Sequence, residues 1–257
     1  MATEKGRWVP LSLPRKWMTD LLRCAARVPT VAVGRTLRVR TIAEARKANG
    51  LSVGWGALLV KGMALVSTRV PALRQIYMPY PWPHFYEAPY SVASVVVDRE
   101  YEGEHAVFSA SMLYPERLSL TVIQEKLDHF KNAPVETVGA FRRLIRTTRY
   151  PLPIRRLLWR IGMDASGLVR ARFFGTYGIN SMAGGRIGMV QTTIPITAAL
   201  FYDAVSREGE MSVQLAFDHR VFDGYTAGRI LGELESVLNN ELCTELTQGV
   251  PSHRNAA

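Results

Sequence analysis

The segment FDHRVFDGYTAG, residues 217–228, holds more reactive side chains than a simple chain reversal needs. His219 and Arg220 follow an apolar stretch, and Asp223 and Gly224 precede an amphipathic one. Because an imidazole titrates near neutrality, His219 could take a proton from a thiol or hydroxyl and return it later. Asp223 could orient a partner by its charge, or it could cap the following helix, which would be a purely structural role. The spacing alone leaves both interpretations open.

The patterns on either side of this segment predict a strand followed by a helix. EMSVQLAFDH reads as a long strand, and the stretch 224–242 places its apolar residues on one helical stripe. Helices and strands alternate through the chain, which indicates an α/β protein with a mixed sheet. Further expected elements are a helix over 14–27, a strand over 28–33, a helix from Ser52 to Thr68, a loop with five prolines over 71–90, and strands over 170–180 and 192–205.

The positive charge of the chain is concentrated in one segment. The formal net charge is +10, yet residues 142–172 alone hold nine arginines and a single acid, Asp164. The rest of the chain is close to neutral. Nucleic-acid binding is therefore disfavoured, because no element that reads bases accompanies the charge.

Cysteine usage and hydropathy exclude several other classes of protein. Cys24 and Cys243 lack metal-ligand spacing, and no other metal-binding constellation is present, so we expect no metal and reduced thiols in a cytoplasmic protein. The longest apolar run, VGWGALLVKGMALV, is interrupted by Lys61 and is too short to span a bilayer.

The string DHRVFDG, set between an apolar strand and a helix, resembles the signature of the acyltransferase domain of 2-oxoacid dehydrogenase complexes. The same fold family includes chloramphenicol acetyltransferase, with its HxxxD motif. GTYGINSMAG at 175–184 is similar to the family's GTFTISNLG strand and turn, and TTIPITAAL to the strand that follows. The resemblance is strong over 175–240, weaker but ordered over 10–135, and absent over 137–172.

The resemblance implies a reaction. His219 would be the general base, which deprotonates a thiol, hydroxyl or amine acceptor so that it attacks an acyl thioester. Asp223 would be mainly structural and pair with an arginine of the first helix, for which Arg15 is the candidate. The family places a serine or threonine hydroxyl at the oxyanion. Here Asn180 occupies that position and Ser181 follows it, so both are candidates for this role.

The resemblance also implies an architecture. We expect a chloramphenicol acetyltransferase-like two-layer α/β fold, with a mixed sheet and flanking helices, over residues 14–242. A basic helical insert would occupy about 137–172, and tails would occupy 1–13 and 243–257. Members of this family are trimers or assemblies of trimers, in which the histidine of one subunit faces the oxyanion residue of its neighbour.

The expected partners follow from this reading. With only about ten residues ahead of the first helix, we expect a stand-alone acyltransferase that uses acyl-CoA or an acyl-carrier protein as donor, with coenzyme A as co-substrate and no bound cofactor. The basic segment 142–172 could meet the donor by charge, or lie on a membrane surface. The alternative, from a different class, is a trimeric scaffold or binding protein that has lost turnover.

Overall fold

The computed structural model describes residues 6–48, 52–182 and 193–248. Parts of both predicted tails and the glycine-rich stretch 183–192 lie outside the described residues. The helices are α1 (Leu13–Ala25), α2 (Arg40–Ala48), α3 (Trp55–Arg69), α4 (Leu120–Asn132), α5 (Gly139–Thr148), α6 (Leu152–Asp164), α7 (Gly167–Phe174), α8 (Gly224–Val237) and α9 (Cys243–Gln248). The strands are β1 (Thr30–Arg38), β2 (Gln75–Met78), β3 (His84–Glu87), β4 (Val92–Tyr101), β5 (Glu104–Leu113), β6 (Tyr177–Ser181), β7 (Ala198–Tyr202) and β8 (Glu210–Asp218).

A six-stranded mixed sheet organises the molecule. Its strand order is β1-β8-β7-β6-β4-β5. The β4–β6 and β6–β7 pairs are parallel, whereas the other neighbours are antiparallel. The parallel pairs are joined by long crossovers, and the segment between β5 and β6 contains α4 to α7. The predicted α/β class with a mixed sheet and flanking helices is confirmed.

Helix α3 lies in the centre of the core because it is apolar nearly all round. It packs against α4 and α8, and its residues from Ala57 to Ala64 are all buried. Lys61 is the one charged residue in this buried run, and its ammonium nitrogen lies 2.7 Å from Glu245 Oε1. That pairing places α9 against the core, and Leu246 is buried there. The packed domain therefore extends to Gln248, beyond the boundary at Leu242 that the sequence suggested.

Several local predictions were wrong. The helix expected to start after Ser52 has Gly54 as its N-cap. The proline-rich stretch 71–90 contains the two-stranded sheet β2–β3, because Ile76 and Met78 face a small apolar cluster. The residues RARFF belong to α7 and not to a strand; Gly175, with a φ of 92°, ends that helix before β6 begins.

The segment 137–172, where no resemblance was found, forms α5, α6 and most of α7. Ser166 caps α7 by accepting a hydrogen bond from the N–H of Val169. In the part of the chain that the structure describes, no helix is long and apolar enough to cross a membrane.

Candidate active site

His219 lies immediately beyond the carboxyl end of β8. Its backbone N–H donates to the carbonyl of Pro29 at 3.0 Å, which ties it to the residue before β1. Its ring Nδ1 lies 3.1 Å from the carbonyl oxygen of Phe222. Since a carbonyl can only accept, this contact puts the proton on Nδ1 and leaves the lone pair on Nε2. Nε2 is therefore the basic atom of the ring.

The phenylalanines around His219 form a support for the imidazole. Phe217 and Phe222 are buried and stacked, with ring centroids 4.7 Å apart. The imidazole meets the Phe217 ring edge-on, at 5.9 Å between centroids. Despite this support, His219 is exposed in the single chain. The ring is thus held on one side and open on the other, which is what a proton-transferring group requires.

A buried ion pair fixes the backbone on which His219 is carried. Asp218 is buried, and it accepts from Arg220 Nε at 2.8 Å, from Arg220 Nη2 at 2.6 Å and from the Arg220 backbone N–H at 3.0 Å. The guanidinium also lies 4.1 Å from the centre of the Tyr77 ring, as a cation–π contact. The residues on both sides of His219 therefore form one bidentate, stacked unit.

Asp223 and Arg15 do not pair within the chain, contrary to the prediction. Asp223 is exposed and caps α8, where its Oδ1 accepts from the Thr226 N–H at 2.9 Å. This hydrogen bond lowers the pKa of the Asp223 carboxyl. Arg15 lies instead near Glu104, with 3.8 Å between Nε and Oε2. The structural role of Asp223 is thus that of a helix cap.

Asn180 and Ser181 lie at the other end of the sheet from His219. In register, Asn180 is level with Phe201 of β7, which is level with Gln214 of β8. His219 lies beyond Asp218, so Asn180 is displaced from it by two strand spacings and five residues, or roughly 19 Å. One protomer cannot bring His219 and Asn180 together.

Ser181 has a neighbour that orients it. It lies level with Tyr202 of β7 and shares a hydrogen bond with that phenol. Burial raises the pKa of Tyr202, and the hydrogen bond with Ser181 partly offsets that rise. Asn180 is only half-buried. Both oxyanion candidates therefore lie at the accessible carboxyl end of β6.

A cavity of about 200 Å³ lies beside the histidine loop, and Arg27, Tyr77, Asp164, Arg170 and Arg220 contribute to its wall. Arg170 is buried and donates to the carbonyls of Tyr77 at 2.9 Å and Pro195 at 3.0 Å. Burial lowers the pKa of Arg170 to about 10. The other two guanidinium groups of the wall are paired with carboxylates: Arg27 donates to Asp164 at 3.0 and 3.1 Å, and Arg220 donates to Asp218. Across the described ranges, no three potential metal ligands come together.

The sequence analysis did not assign four residues whose contacts hold this site in place. Asp218 and Arg220 flank His219, so a carboxylate and a guanidinium two positions apart were the available signal for their pairing. Tyr77 and Arg170 gave no such signal, because each lies in a segment whose secondary structure was wrongly predicted. Their contacts are long-range and depend on the hairpin β2–β3.

Comparison with solved structures identifies the fold. A dihydrolipoamide acetyltransferase from Azotobacter vinelandii aligns with a TM-score of 0.65 and 18% identity over 95% of each chain. The truncated catalytic core of a 2-oxoacid dehydrogenase multienzyme complex from Thermoplasma acidophilum gives 0.63 and 19% identity, covering 92% of this chain and 99% of that one. A chloramphenicol acetyltransferase gives 0.55 and 11% identity, covering 89% and 96%.

The chain therefore has the fold shared by the catalytic domains of 2-oxoacid dehydrogenase acyltransferases and chloramphenicol acetyltransferase, as the DHRVFDG resemblance predicted. At these identities the likeness defines the fold. No protein-family model matches the sequence, and no curated protein matches it either.

Proposed function

We propose that this protein is an acyltransferase that moves an acyl group from a thioester, acyl-CoA or an acyl-carrier protein, to a thiol, hydroxyl or amine. The observation that carries the proposal is the state of His219: an exposed imidazole whose Nδ1 is bound to the Phe222 carbonyl, so that Nε2 is the base. Similar folds belong to acetyltransferases. One of them was studied for the catalytic roles of a serine, a histidine and an asparagine, and its histidine and asparagine have the spacing of His219 and Asp223.

The reaction proceeds from this base. Nε2 of His219 takes the proton of the acceptor while the acceptor atom attacks the thioester carbonyl. A tetrahedral oxyanion forms, and an amide or hydroxyl donor from Asn180 or Ser181 stabilises it. The carbon–sulfur bond then breaks, and the protonated imidazole returns the proton to the leaving thiolate. Acyl group, proton and electron pair are thereby all accounted for.

The distance within one chain makes the site intermolecular in this proposal. Because His219 and Asn180 are roughly 19 Å apart in the sheet, the oxyanion donor must come from a neighbouring protomer. A trimer, or an assembly of trimers, supplies such neighbours. In keeping with this, one similar structure is the cubic core of a pyruvate dehydrogenase multienzyme complex.

The test of the chemistry compares two histidines. The protein is incubated with a panel of acyl-CoA thioesters and thiol, alcohol or amine acceptors, and free CoA thiol is measured. His219→Ala should reduce the acceptor-dependent rate by about 10²–10⁴-fold, the usual contribution of a general base. The control, His105→Ala, removes an exposed histidine of β5 and should leave the rate unchanged. Equal rates for both variants would refute the role of His219.

The intermolecular site is tested by complementation. His219→Ala and the double variant Asn180→Ala with Ser181→Ala are each expected to be inactive alone. Co-expressed, they form mixed assemblies in which some interfaces carry both an intact His219 and an intact donor, so part of the activity should return. Recovery excludes a site confined to one protomer, and no recovery excludes the shared site.

The alternative candidate is a scaffold of the same fold without turnover. The observation in its favour is Asn180, an amide where the resemblance implies a hydroxyl. Under that alternative no donor releases thiol in a His219-dependent manner, although assembly is retained.

A further inference from the structure

Helix α6 buries a charged side chain and exposes aliphatic ones, which is the opposite of an ordinary surface helix. It directs Arg155, Trp159 and Met163 inward, where all three are buried. Arg155 is in ion-pair contact with buried Asp20 of α1. The opposite side exposes four large aliphatic side chains, with exposed fractions of 47% for Ile154, 56% for Leu157, 39% for Leu158 and 48% for Ile161. We call these four residues the α6 face.

The α6 face is one continuous stripe. At 100° per residue, its four members fall within about 100° of arc on the helix. The buried Arg155 and Trp159 are centred on the opposite side. Singly exposed aliphatic residues are ordinary on a protein surface, but a contiguous stripe of this kind indicates an interaction site.

The segment that contains this stripe is rich in exposed arginines. Seven arginines of the segment are exposed: Arg142, Arg143, Arg146, Arg149, Arg156, Arg160 and Arg172. Among the described residues, none of the seven has a carboxylate within 4.0 Å, whereas Arg155, on the inner side of α6, does. Arg156 and Arg160 lie on the same helix, about 100° and 60° of arc from Leu157 at the nearer edge of the α6 face.

The positive charge of the segment favours one kind of binding partner for the α6 face. A second copy of this chain would bring a net charge of +10, most of it in the same arginine-rich segment, and would offer no excess of acid to meet it. A surface that is negative and accepts aliphatic side chains at shallow depth fits both features together. Arginine beside an exposed leucine and isoleucine stripe is the composition of helices that lie in the interface of an anionic bilayer.

We propose that the α6 face is a membrane-surface site, by which the protein lies on anionic lipid with the four aliphatic side chains in the acyl boundary and the arginines at the headgroups. The inference goes beyond the proposed acyltransferase function and does not rest on it. The carboxyl end of α6 supplies Met163 and Asp164 to the cavity next to Arg220.

The experiment uses the full chain and vesicles of defined composition. Co-sedimentation is measured with phosphatidylcholine vesicles and with vesicles that contain phosphatidylglycerol. Binding should be found only with the anionic vesicles and should weaken as salt is raised, because headgroup attraction is screened. Failure to bind phosphatidylglycerol vesicles at low salt would overturn the proposal.

Matched variants distinguish binding through the α6 face from non-specific adsorption of the protein to vesicles. Leu157→Gln with Ile161→Gln removes two of its members and should weaken vesicle binding about tenfold or more, since both side chains lose apolar burial. Val107→Gln with Val122→Gln removes two exposed aliphatic residues of β5 and α4 and should leave binding unchanged. Arg156→Gln with Arg160→Gln should remove most of the preference for anionic over neutral vesicles.

Two further measurements test whether the α6 face binds another protomer or a protein partner instead of lipid. The mass of the assembly, measured for Leu157→Gln with Ile161→Gln, should equal that of the unsubstituted protein; dissociation would assign the face to a contact between protomers and overturn the lipid proposal. A purified acyl-carrier protein should not compete with the vesicles. If it competes, and Leu157→Gln with Ile161→Gln abolishes its binding, the face belongs to a protein partner instead.

Discussion

Helices α8 and α6 use their aliphatic side chains in opposite ways. In α8, Ile230, Leu231 and Leu234 are fully buried against the core, and the helix begins at a capping carboxylate. In α6, an arginine and a tryptophan are buried while isoleucines and leucines face outward. The first helix stabilises the loop that carries His219. Helix α6 instead leaves its aliphatic side chains exposed to solvent.

Different contacts stabilise the loop that carries His219 and helix α6. Around His219, the loop is held by burial of Phe217 and Phe222 and by the Asp218–Arg220 pair. Helix α6 is held by an ion pair and by the packing of Trp159 with Phe174, at 5.4 Å between ring centroids. Helix α6 therefore depends on electrostatics more than α8 does.

The largest expected effect comes from breaking the inner contact of α6. Asp20→Ala leaves Arg155 buried without a counterion, which should lower the free energy of unfolding by about 3–5 kcal/mol. Urea unfolding measures the loss. Asp128→Ala, an exposed aspartate of α4, is the control and should cost less than about 1 kcal/mol. Adding Arg155→Met to Asp20→Ala should recover part of the stability, because no unpaired charge then remains. Equal losses from Asp20→Ala and Asp128→Ala would contradict the ion-pair account of α6.

A matched pair of isoleucines tests the contrast directly. Ile230→Ala in α8 empties a fully buried site and should cost about 3 kcal/mol of unfolding free energy. Ile161→Ala in α6 removes a half-exposed side chain and should change it by less than about 0.5 kcal/mol. Both are read from the same denaturation curves. A large loss for Ile161→Ala would mean that its face is covered in solution without lipid.

The smallest effect concerns the cap of α8. The hydrogen bond from Thr226 lowers the pKa of Asp223 in the folded protein, so the ionised cap adds stability above the ordinary aspartate pKa. That contribution is lost as the pH falls through the lowered value. Asn at this position caps without titrating. The stability difference between the unsubstituted protein and Asp223→Asn should therefore be constant near neutrality and change only below about pH 4. A change near pH 7 would point to a different partner for Asp223.

Short-range patterns predicted the parts of the fold that depend on them. The β8 strand, the α8 stripe and the histidine between them follow from alternation, helical spacing and a short motif. The hairpin β2–β3 was missed because prolines suggested a loop, yet Ile76 and Met78 gain burial against α7 through tertiary contact. The carboxyl half of α7 was missed because RARFF has aromatic residues that also suit a strand.

The motif led to a hypothesis about the chemistry of the site but not to its geometry. The proposal that His219 is a base followed from the motif, but the distance between His219 and Asn180 depends on strand order, which no local pattern encodes. Arg15 was assigned to Asp223 by resemblance, whereas in the folded chain its neighbour is Glu104. Long-range pairings of this kind are set by topology and packing.

Tyr77 connects helix α7 with the loop that carries His219. Its carbonyl accepts from Arg170 of α7, and its ring lies under Arg220 beside His219. The first contact needs only a peptide group and tolerates any residue, but the second needs a flat aromatic face. In distant relatives of this chain, the histidine that matches His219 should thus be accompanied by an aromatic residue some 140 positions earlier, so a sequence search could require both residues where the short motif alone is not specific enough.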